Sequence, residues 1–222
     1  MSAGLVWRDS AAHAHFQSLG LPALDALRGD LDEPRLGQIG RCVTKARTRR
    51  LYFLTDPDGP GYYVKIQVAP PSALPLRRWA RYAAKPSPVV LEARAGEVLR
   101  GLGLNTAPVL ASGARGRFPA TVRAALVTRE LRDHVDVRQY IEEEEDESRR
   151  VAAVEAVEAL VARVHAAGLA FGQVRHRNFL VPRARPVALD EIVIIDAGGL
   201  SRSRRKQERD KQHLALERGR RL

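Results

Sequence analysis

Two neighbouring runs decide how this chain folds: HAAGLAFGQVRHRNFLV at residues 165–181 and IVIIDAG at residues 192–198. The first run ends a helix, passes through a polar loop and enters a short apolar strand. The second run is another apolar strand, and it ends in Asp-x-Gly. Three polar residues mark these boundaries: Gln173 and Asn178 in the loop, and Asp196 at the end of the second strand. Their positions make them the first candidates for a functional site.

The order of these features resembles the catalytic centre of the protein-kinase-like fold. In that fold the loop reads His-Arg-Asp-Leu-x-x-x-Asn, and the second strand ends in Asp-Phe-Gly. The resemblance implies that Asn178 and Asp196 ligate Mg²⁺. It also implies that Arg175 takes the place of a loop lysine near the γ-phosphate of ATP.

Gln173 departs from this pattern, because it occupies the position of the catalytic aspartate. A carboxylate orients the attacking hydroxyl and accepts its proton, whereas an amide orients the hydroxyl without usefully accepting the proton. Phosphoryl transfer depends mainly on positioning and charge neutralisation, so loss of the base need not abolish it. General-base assistance is typically worth about 10²–10⁴-fold in rate. Gln173 and Arg175 are therefore the predicted catalytic residues. The sequence is compatible with both an active kinase and an inactive one.

The composition is that of a folded globular protein. Of the 222 residues, 45% are hydrophobic and 28% are charged, which provides enough apolar material for a core. The single cysteine, Cys42, excludes an internal disulfide framework and fits a reducing cytosol. The sequence contains no run of about 18 uncharged apolar residues, so it predicts no membrane-spanning helix. The N-terminus lacks the basic start and long apolar stretch of a signal peptide.

The charge of the chain is basic and uneven. The net charge is +11, and residues 201–222 carry nine arginines and lysines against three acids, which is +6. Such a balance favours anionic partners without choosing among phosphates, lipids and nucleic acids. Aromatic residues make up 5% of the chain and are not interleaved with the basic tail, which disfavours nucleic acid. The acidic block at residues 142–147 is interpreted as a solvated helix start or loop.

Strand patterns and helix patterns are segregated along the chain, which predicts an α+β, two-lobed fold rather than a helical bundle or a doubly wound sheet. The β-rich N-lobe has one main helix, at residues 91–102, and the reduced C-lobe is mainly helical. An insertion is expected at residues 70–88. The predicted divisions are an N-terminal helical extension at 1–35, an N-lobe at 36–131, a C-lobe with the catalytic loop at 132–200, and a basic C-terminal helix or tail at 201–222.

Several leucines of the N-terminal extension recur at loosely helical spacing, and Pro22 is suited to open a helix there. Turn chemistry at residues 56–61 then predicts an antiparallel hairpin, whose second strand contains Lys65. Taken on its strand alone, Lys65 is more often a solvent-facing residue. Glu92 falls in the first turn of the predicted helix, where a carboxylate also suits the helix dipole.

The segment at residues 89–113 is similar to the bacterial lipopolysaccharide kinase family of the Kdo/WaaP type. In that family a Glu opens the helix, a Leu follows seven residues later, and a Gly-(Ile/Val)-x-Thr turn leads to an Ala-x-Gly strand end. Further segments that resemble the family lie at residues 47–53, 63–65, 126–131 and 209–214.

The resemblance implies roles for residues of the N-lobe. Lys65 would hold the nucleotide phosphates and Glu92 would orient Lys65. The backbone around Glu130 and Leu131 would face the adenine. A Gly-x-Gly-x-x-Gly loop is absent from the sequence, and the pair of glycines at 37 and 40 is the available substitute for a phosphate-covering loop.

These resemblances predict an ATP- and Mg²⁺-dependent phosphotransferase of the lipopolysaccharide kinase type, acting on a sugar hydroxyl of a glycolipid. The alternative is a catalytically inactive pseudokinase that binds nucleotide or a partner enzyme. A cytoplasmic protein is expected. The basic tail has two interpretations, peripheral contact with the anionic inner membrane or a solvated segment, and both stay open.

Overall fold

The computed structural model describes residues 4–46, 49–67, 87–115, 123–172, 174–183 and 187–219. Gln173, most of the predicted insertion and part of the segment at 47–53 lie outside the described residues. Within the described ranges the helices are α1 (Ser10–Ser18), α2 (Pro22–Asp25), α3 (Glu33–Ile39), α4 (Pro88–Gly101), α5 (Val137–Glu143), α6 (Glu147–Ala166) and α7 (Arg204–Gly219), with 3-10 turns at His176–Asn178 and Leu189–Glu191.

The strands are β1 (Val6–Trp7), β2 (Gly40–Lys45), β3 (Arg49–Asp56), β4 (Gly59–Gln67), β5 (Asn105–Thr106), β6 (Val109–Arg115), β7 (Arg123–Arg129), β8 (His134–Asp136), β9 (Phe179–Pro182) and β10 (Val193–Ile194). The chain divides into two compact units. The first comprises Met1–Ala93 and Pro108–Glu130, and the second comprises Arg94–Ala107 and Leu131–Leu222.

The first unit is built on a six-stranded sheet with the order β1-β6-β7-β4-β3-β2. Strands β3 and β4 form the predicted hairpin, and Asp56 pairs with Gly59 across a turn that contains Pro57 and Asp58. Lys65 lies in the interior of the sheet, since β4 pairs with β3 on one side and with β7 on the other. A residue at this position is held by ladders of hydrogen bonds on both sides.

The N-terminal extension belongs to the core of the first unit. Leu24, Leu27 and Leu31 are buried and pack in one cluster with residues of β3 and β4. The prediction of Pro22 at the start of a helix is confirmed, but that helix is one turn long. Leu27 and Leu31 lie beyond it and have φ values of 51° and 60°, a left-handed conformation that continues no helix. The leucine spacing thus reflects a buried loop.

The helix predicted at residues 91–102 as the main helix of the N-lobe starts earlier than predicted, and only its first part, to Ala93, belongs to the first unit, whereas residues 94–101 belong to the second. Helix α4 begins at Pro88, and Ser87 Oγ accepts a hydrogen bond from Val89 N at 3.3 Å. Glu92 is therefore in the second turn of the helix and not the first, so the helix-dipole interpretation of Glu92 is wrong. In the first unit α4 packs Val89 and Ala93 against Ala124 and Leu126 of β7. This packing fixes which face of the helix meets the sheet.

The second unit combines a four-stranded sheet, ordered β5-β10-β9-β8, with helices α5, α6 and α7. The predicted amphipathic helix is confirmed, and its apolar stripe is buried at Val154, Val157, Leu160, Val161 and Val164. It begins at Glu147, and the Asp146 side chain caps it by accepting from Ser148 N and Arg149 N. The acidic block therefore forms a helix end, a short loop and a helix start.

Helix α7 confirms that the basic tail is helical over Arg204–Gly219. Leu214 is buried in the core of the second unit, whereas Arg204, Arg205 and Arg209 are exposed. No helix of the described residues has the length and apolar character needed to cross a membrane.

Candidate functional site

The first unit holds a close ion pair between Lys65 and Glu92. Lys65 Nζ donates to both carboxylate oxygens of Glu92, at 2.7 Å and 2.6 Å. The pair is poorly accessible, since 17% of the Lys65 side chain and 14% of the Glu92 side chain are exposed. The predicted ion pair is thus present, and the interpretation of Lys65 as a solvent-facing strand residue is wrong. A half-buried ammonium held in one place is suited to bind phosphate oxygens.

Glu130, the residue directly after β7, is joined to Gly61 on β4 by two hydrogen bonds. Glu130 N donates to Gly61 O at 2.8 Å, and Gly61 N donates to the Glu130 carboxylate at 2.8 Å. The carbonyl oxygen of Leu131 accepts from His134 N at 3.1 Å. The amide of Glu130 and the carbonyl of Leu131 are therefore used within the protein, which leaves fewer backbone groups for the predicted contact with adenine.

In the second unit, the strands that the sequence pattern predicted bring Asn178 and Asp196 together. Strands β9 and β10 pair antiparallel, with Ile194 opposite Phe179. Directly beyond this pair, Ile195 N donates to Asn178 O at 2.9 Å. Asn178 ends a 3-10 turn and Asp196 follows Ile195, so the two predicted metal ligands occupy neighbouring positions at one end of the sheet.

The backbone of Asp196 is left-handed, with a φ value of 54°. A non-glycine residue rarely adopts this conformation, and such residues cluster at functional sites. The conformation turns the chain sharply at the end of β10, before Ala197 and Gly198.

Asp210 is a buried residue of the second unit, and it lies in the segment at residues 209–214 that resembles the family. It lies on α7, is 0% exposed, and accepts a hydrogen bond from Phe171 N at 2.8 Å. The same carboxylate oxygen lies 3.2 Å from His165 Nε2. Asp210 therefore holds the backbone two residues before Gln173. The sequence carries no local signal for this contact, since Asp210 and Phe171 are 39 residues apart.

The described residues on either side of Gln173 differ in burial. Gly172, Val174 and His176 are buried, whereas Arg175 is exposed, as a residue that contacts a ligand phosphate would need to be. His176 is 0% exposed, and its Nδ1 lies 3.8 Å from the Glu217 carboxylate. A fully buried imidazole of this kind is poorly placed to replace a missing base.

The two glycines proposed as a phosphate-covering loop do not form one. Gly37 lies within α3, and Gly40 follows its last residue as the first residue of β2. A Cβ atom at Gly40 would lie 2.6 Å from Phe53 O, which explains why glycine is required there. Gly40 serves helix termination and close packing, whereas Gly37 is a helical residue with open space at its Cβ position. The prediction that this pair forms a phosphate-covering loop is therefore wrong.

The candidate metal ligands near the end of β10, Asn178 and Asp196, would both bind a metal ion through oxygen. No group of three or more His, Cys, Asp or Glu side chains able to hold a metal occurs in the part of the chain that the structure describes. An amide oxygen and a carboxylate, as at Asn178 and Asp196, suit Mg²⁺, which binds few protein ligands and keeps waters or substrate phosphates. The residues present therefore fit Mg²⁺ rather than a soft metal.

The fold and these residues define a protein-kinase-like protein. The chain is similar to the solved structure of WaaP in complex with acyl carrier protein, with a TM-score of 0.64 and 24% identity over 96% of this chain and 80% of that chain. It is also similar to the Rio2 kinase of Chaetomium thermophilum, solved as an ADP/Mg²⁺-phosphoaspartate complex, with a TM-score of 0.57 and 16% identity over 95% of this chain and 59% of that one. At these identities the two structures establish the fold alone.

The family follows from the sequence profile of the lipopolysaccharide kinase (Kdo/WaaP) family, which matches residues 37–218. The chain belongs to that family. No curated protein matches it. The matched region contains Lys65 and Glu92 of the first unit and Asn178 and Asp196 of the second. It begins after the N-terminal extension at 1–35, whose leucines nevertheless complete the core of the first unit.

Proposed function

We propose that this protein is an ATP- and Mg²⁺-dependent phosphotransferase that phosphorylates a sugar hydroxyl of a lipopolysaccharide-type glycolipid. The observation that supports this proposal most is the ion pair between Lys65 and Glu92, because it holds a half-buried ammonium at the position the family resemblance assigns to phosphate binding. The neighbouring positions of Asn178 and Asp196 supply a second, independent support.

Each residue of the first unit has a role in this proposal. Lys65 would bind the α- and β-phosphates, and Glu92 would keep its ammonium in place by accepting two hydrogen bonds. The backbone at Glu130 and Leu131 would border the adenine. Because Glu130 N already donates to Gly61 O, the Leu131 amide is the better candidate donor to the base.

In the second unit, Asn178 and Asp196 would hold Mg²⁺, which when bound neutralises the charge on the nucleotide phosphates. Exposed Arg175 would add a positive charge near the transferred phosphoryl group. In the transfer itself, the sugar oxygen forms a bond to the γ-phosphorus while the bond to the ADP oxygen breaks. With Gln173 in place of an aspartate, the hydroxyl proton would pass to water or to a phosphate oxygen.

The second candidate function is a pseudokinase that binds nucleotide or a partner enzyme without phosphoryl transfer. One observation favours it, namely that Gln173 replaces the residue that would accept the proton. The two functions share the nucleotide site, and they differ in whether any acceptor is phosphorylated.

The acceptor and the place of action also belong to the proposal. The family suggests a sugar hydroxyl of a glycolipid. Exposed arginines on α7 favour peripheral contact with an anionic membrane surface, as at the cytoplasmic face of the inner membrane.

Transfer of the γ-phosphate from labelled ATP to lipopolysaccharide core acceptors tests this proposal. We expect slow transfer by the wild type, a rise of up to about 10²–10⁴-fold in Gln173→Asp, and none in Asp196→Ala. Binding of Mg²⁺-ATP with no transfer by the wild type or by Gln173→Asp, across several acceptors, would favour the pseudokinase.

A further inference from the structure

Lys206, on helix α7, joins the two segments that carry the candidate catalytic and metal-binding residues of the second unit. Its ammonium donates to Gly199 O at 3.0 Å and to Ser201 Oγ at 2.7 Å. Both acceptors lie in the segment that follows Asp196. The methylene stem of the same lysine lies against Gly172, the residue directly before Gln173. One side chain thus contacts both segments.

The segment after Asp196 also contacts the residues before Gln173 through backbone groups, independently of Lys206. Ala170 and Ser201 exchange two backbone hydrogen bonds, at 2.9 Å and 3.0 Å. Gly199 lies so close to Phe171 O that a Cβ atom at Gly199 would clash with that oxygen. The chain after Asp196 therefore runs directly along the residues that precede Gln173.

Gly172 is shaped to receive the lysine stem. Its φ value is +81°, which a residue with a side chain rarely adopts. A Cβ atom at Gly172 would lie 3.0 Å from Lys206 Cδ and 3.2 Å from Cε, closer than ordinary contact. The absent side chain is thus what allows the stem to cross this point and the ammonium to reach Gly199 and Ser201.

We propose that Lys206 is a positioning residue for the phosphotransfer site, fixing the segment after Asp196 against the loop that carries Gln173. This inference rests on the proposed function and deepens it. Lys206 acts through other residues, since its ammonium is bound to Gly199 and Ser201. It would fix the distance between the segment after Asp196 and the loop that carries Gln173. A site without a catalytic base needs this, because its rate depends on how well the reacting groups are positioned.

The physical reason is the cost of misplacement. Hydrogen bonds from a charged donor are stronger than those between neutral groups, and Lys206 makes two of them to one short segment. Without the ammonium, that segment loses both of these bonds and keeps its backbone contacts with Ala170 and the apolar packing of Ala197 and Leu200. A shift of about 1 Å in a reacting group can cost about 10²-fold in rate.

Four variants of the full chain test this role. Lys206→Met keeps an apolar stem over Gly172 and removes the ammonium, whereas Lys206→Arg keeps a charged donor. Ser201→Ala removes one acceptor from the other side of the contact. Lys211→Met is the matched control, because Lys211 lies on the same helix, is exposed, and pairs with Glu208 of its own helix.

Two measurements apply to each variant. Hydrogen–deuterium exchange at residues 197–201 is followed without nucleotide or metal, and the affinity for ADP is measured with and without Mg²⁺. We expect faster exchange in Lys206→Met and a loss of about 10-fold or more in the enhancement of ADP affinity by Mg²⁺. Ser201→Ala should change both in the same direction but less, and Lys206→Arg and Lys211→Met should match the wild type. A purely structural lysine would lower the melting temperature without changing the Mg²⁺ enhancement.

Two results would overturn the inference in distinguishable ways. If the wild type binds ADP with Mg²⁺ enhancement and Lys206→Met and Ser201→Ala keep that enhancement unchanged, Lys206 is not a positioning residue and the proposed function stands. If the wild type binds no nucleotide with or without Mg²⁺, the proposed function fails and the role of Lys206 fails with it. Should Lys206→Met not fold, Ser201→Ala decides by the same two measurements.

Discussion

Breaking the ion pair between Lys65 and Glu92 should destabilise the protein measurably. Lys65→Met leaves the Glu92 carboxylate, 14% exposed, without the ammonium that lies 2.6 Å from it. Removing one partner of a fully buried pair costs about 3–5 kcal/mol, and an exposed pair contributes about 0–1 kcal/mol. The partial burial seen here places the loss at about 2–3 kcal/mol. For a chain of this size that corresponds to a fall of about 4–12 °C in melting temperature.

A double-mutant cycle isolates the interaction from the loss of each side chain. The variants are Lys65→Met, Glu92→Leu and the two together, measured by chemical denaturation. Lys45→Met on β2 is the matched control, since Lys45 is an exposed lysine of the same sheet. We expect the double variant to be about 2 kcal/mol more stable than the sum of the single effects predicts. Additivity within about 0.5 kcal/mol would contradict a stabilising interaction between Lys65 and Glu92, because independent sites behave that way.

Three further predictions concern other parts of the structure. Asp210→Ala leaves the buried Phe171 N–H without its acceptor and should lower the free energy of unfolding by about 1–3 kcal/mol, and a loss below about 0.5 kcal/mol in urea denaturation would contradict this role. Asp9 caps α1 by accepting from Ala12 N at 2.8 Å, and that bond, aided by Arg129, lowers the pKa of Asp9. Because the folded state favours the ionised carboxylate, Asp9→Ala should cost about 1 kcal/mol above about pH 5, and this difference from wild type should shrink as the pH falls from about 4 through the lowered pKa of the folded state. A difference that does not change with pH would exclude the charged cap. Replacing Arg204, Arg205 and Arg209 by glutamine should weaken co-sedimentation with anionic vesicles, an effect that salt also produces because screening acts over about 8–10 Å, whereas binding insensitive to both would remove α7 from the membrane contact.

Some features of the fold could be read from local sequence because the signal is local. Turn residues at 56–61 and the apolar stripe of α6 each depend on a few neighbouring positions. The early start of α4 was also readable, since Ser87 followed by Pro88 is a common helix opening, with Ser as the cap and Pro in the first turn. Ser87 and Pro88 were instead assigned to the proline-rich insertion predicted at residues 70–88, so the helix was predicted to start later.

Other features depend on tertiary contacts and leave no local trace. Leu27 and Leu31 have helical spacing, yet burial against the sheet holds them in left-handed turns. Gly37 and Gly40 resemble a loop motif, but one lies within a helix and the other packs against a neighbouring strand.

The candidate site divides in the same way. The pairing of Lys65 with Glu92 followed from the family resemblance, because its motifs fix both positions. The role of Asp210 did not, because Phe171 comes near it only when the second unit is folded.

Calorimetric titration of ATP with and without Mg²⁺ shows whether Asp196 belongs to a Mg²⁺-nucleotide site. Asp190→Ala is the matched control, since Asp190 is an exposed acid six residues earlier that makes the same change of net charge. We predict that the wild type and Asp190→Ala bind ATP more tightly with Mg²⁺, and that Asp196→Ala loses most of this gain. Equal Mg²⁺-dependent affinity in Asp196→Ala and the wild type would contradict this prediction.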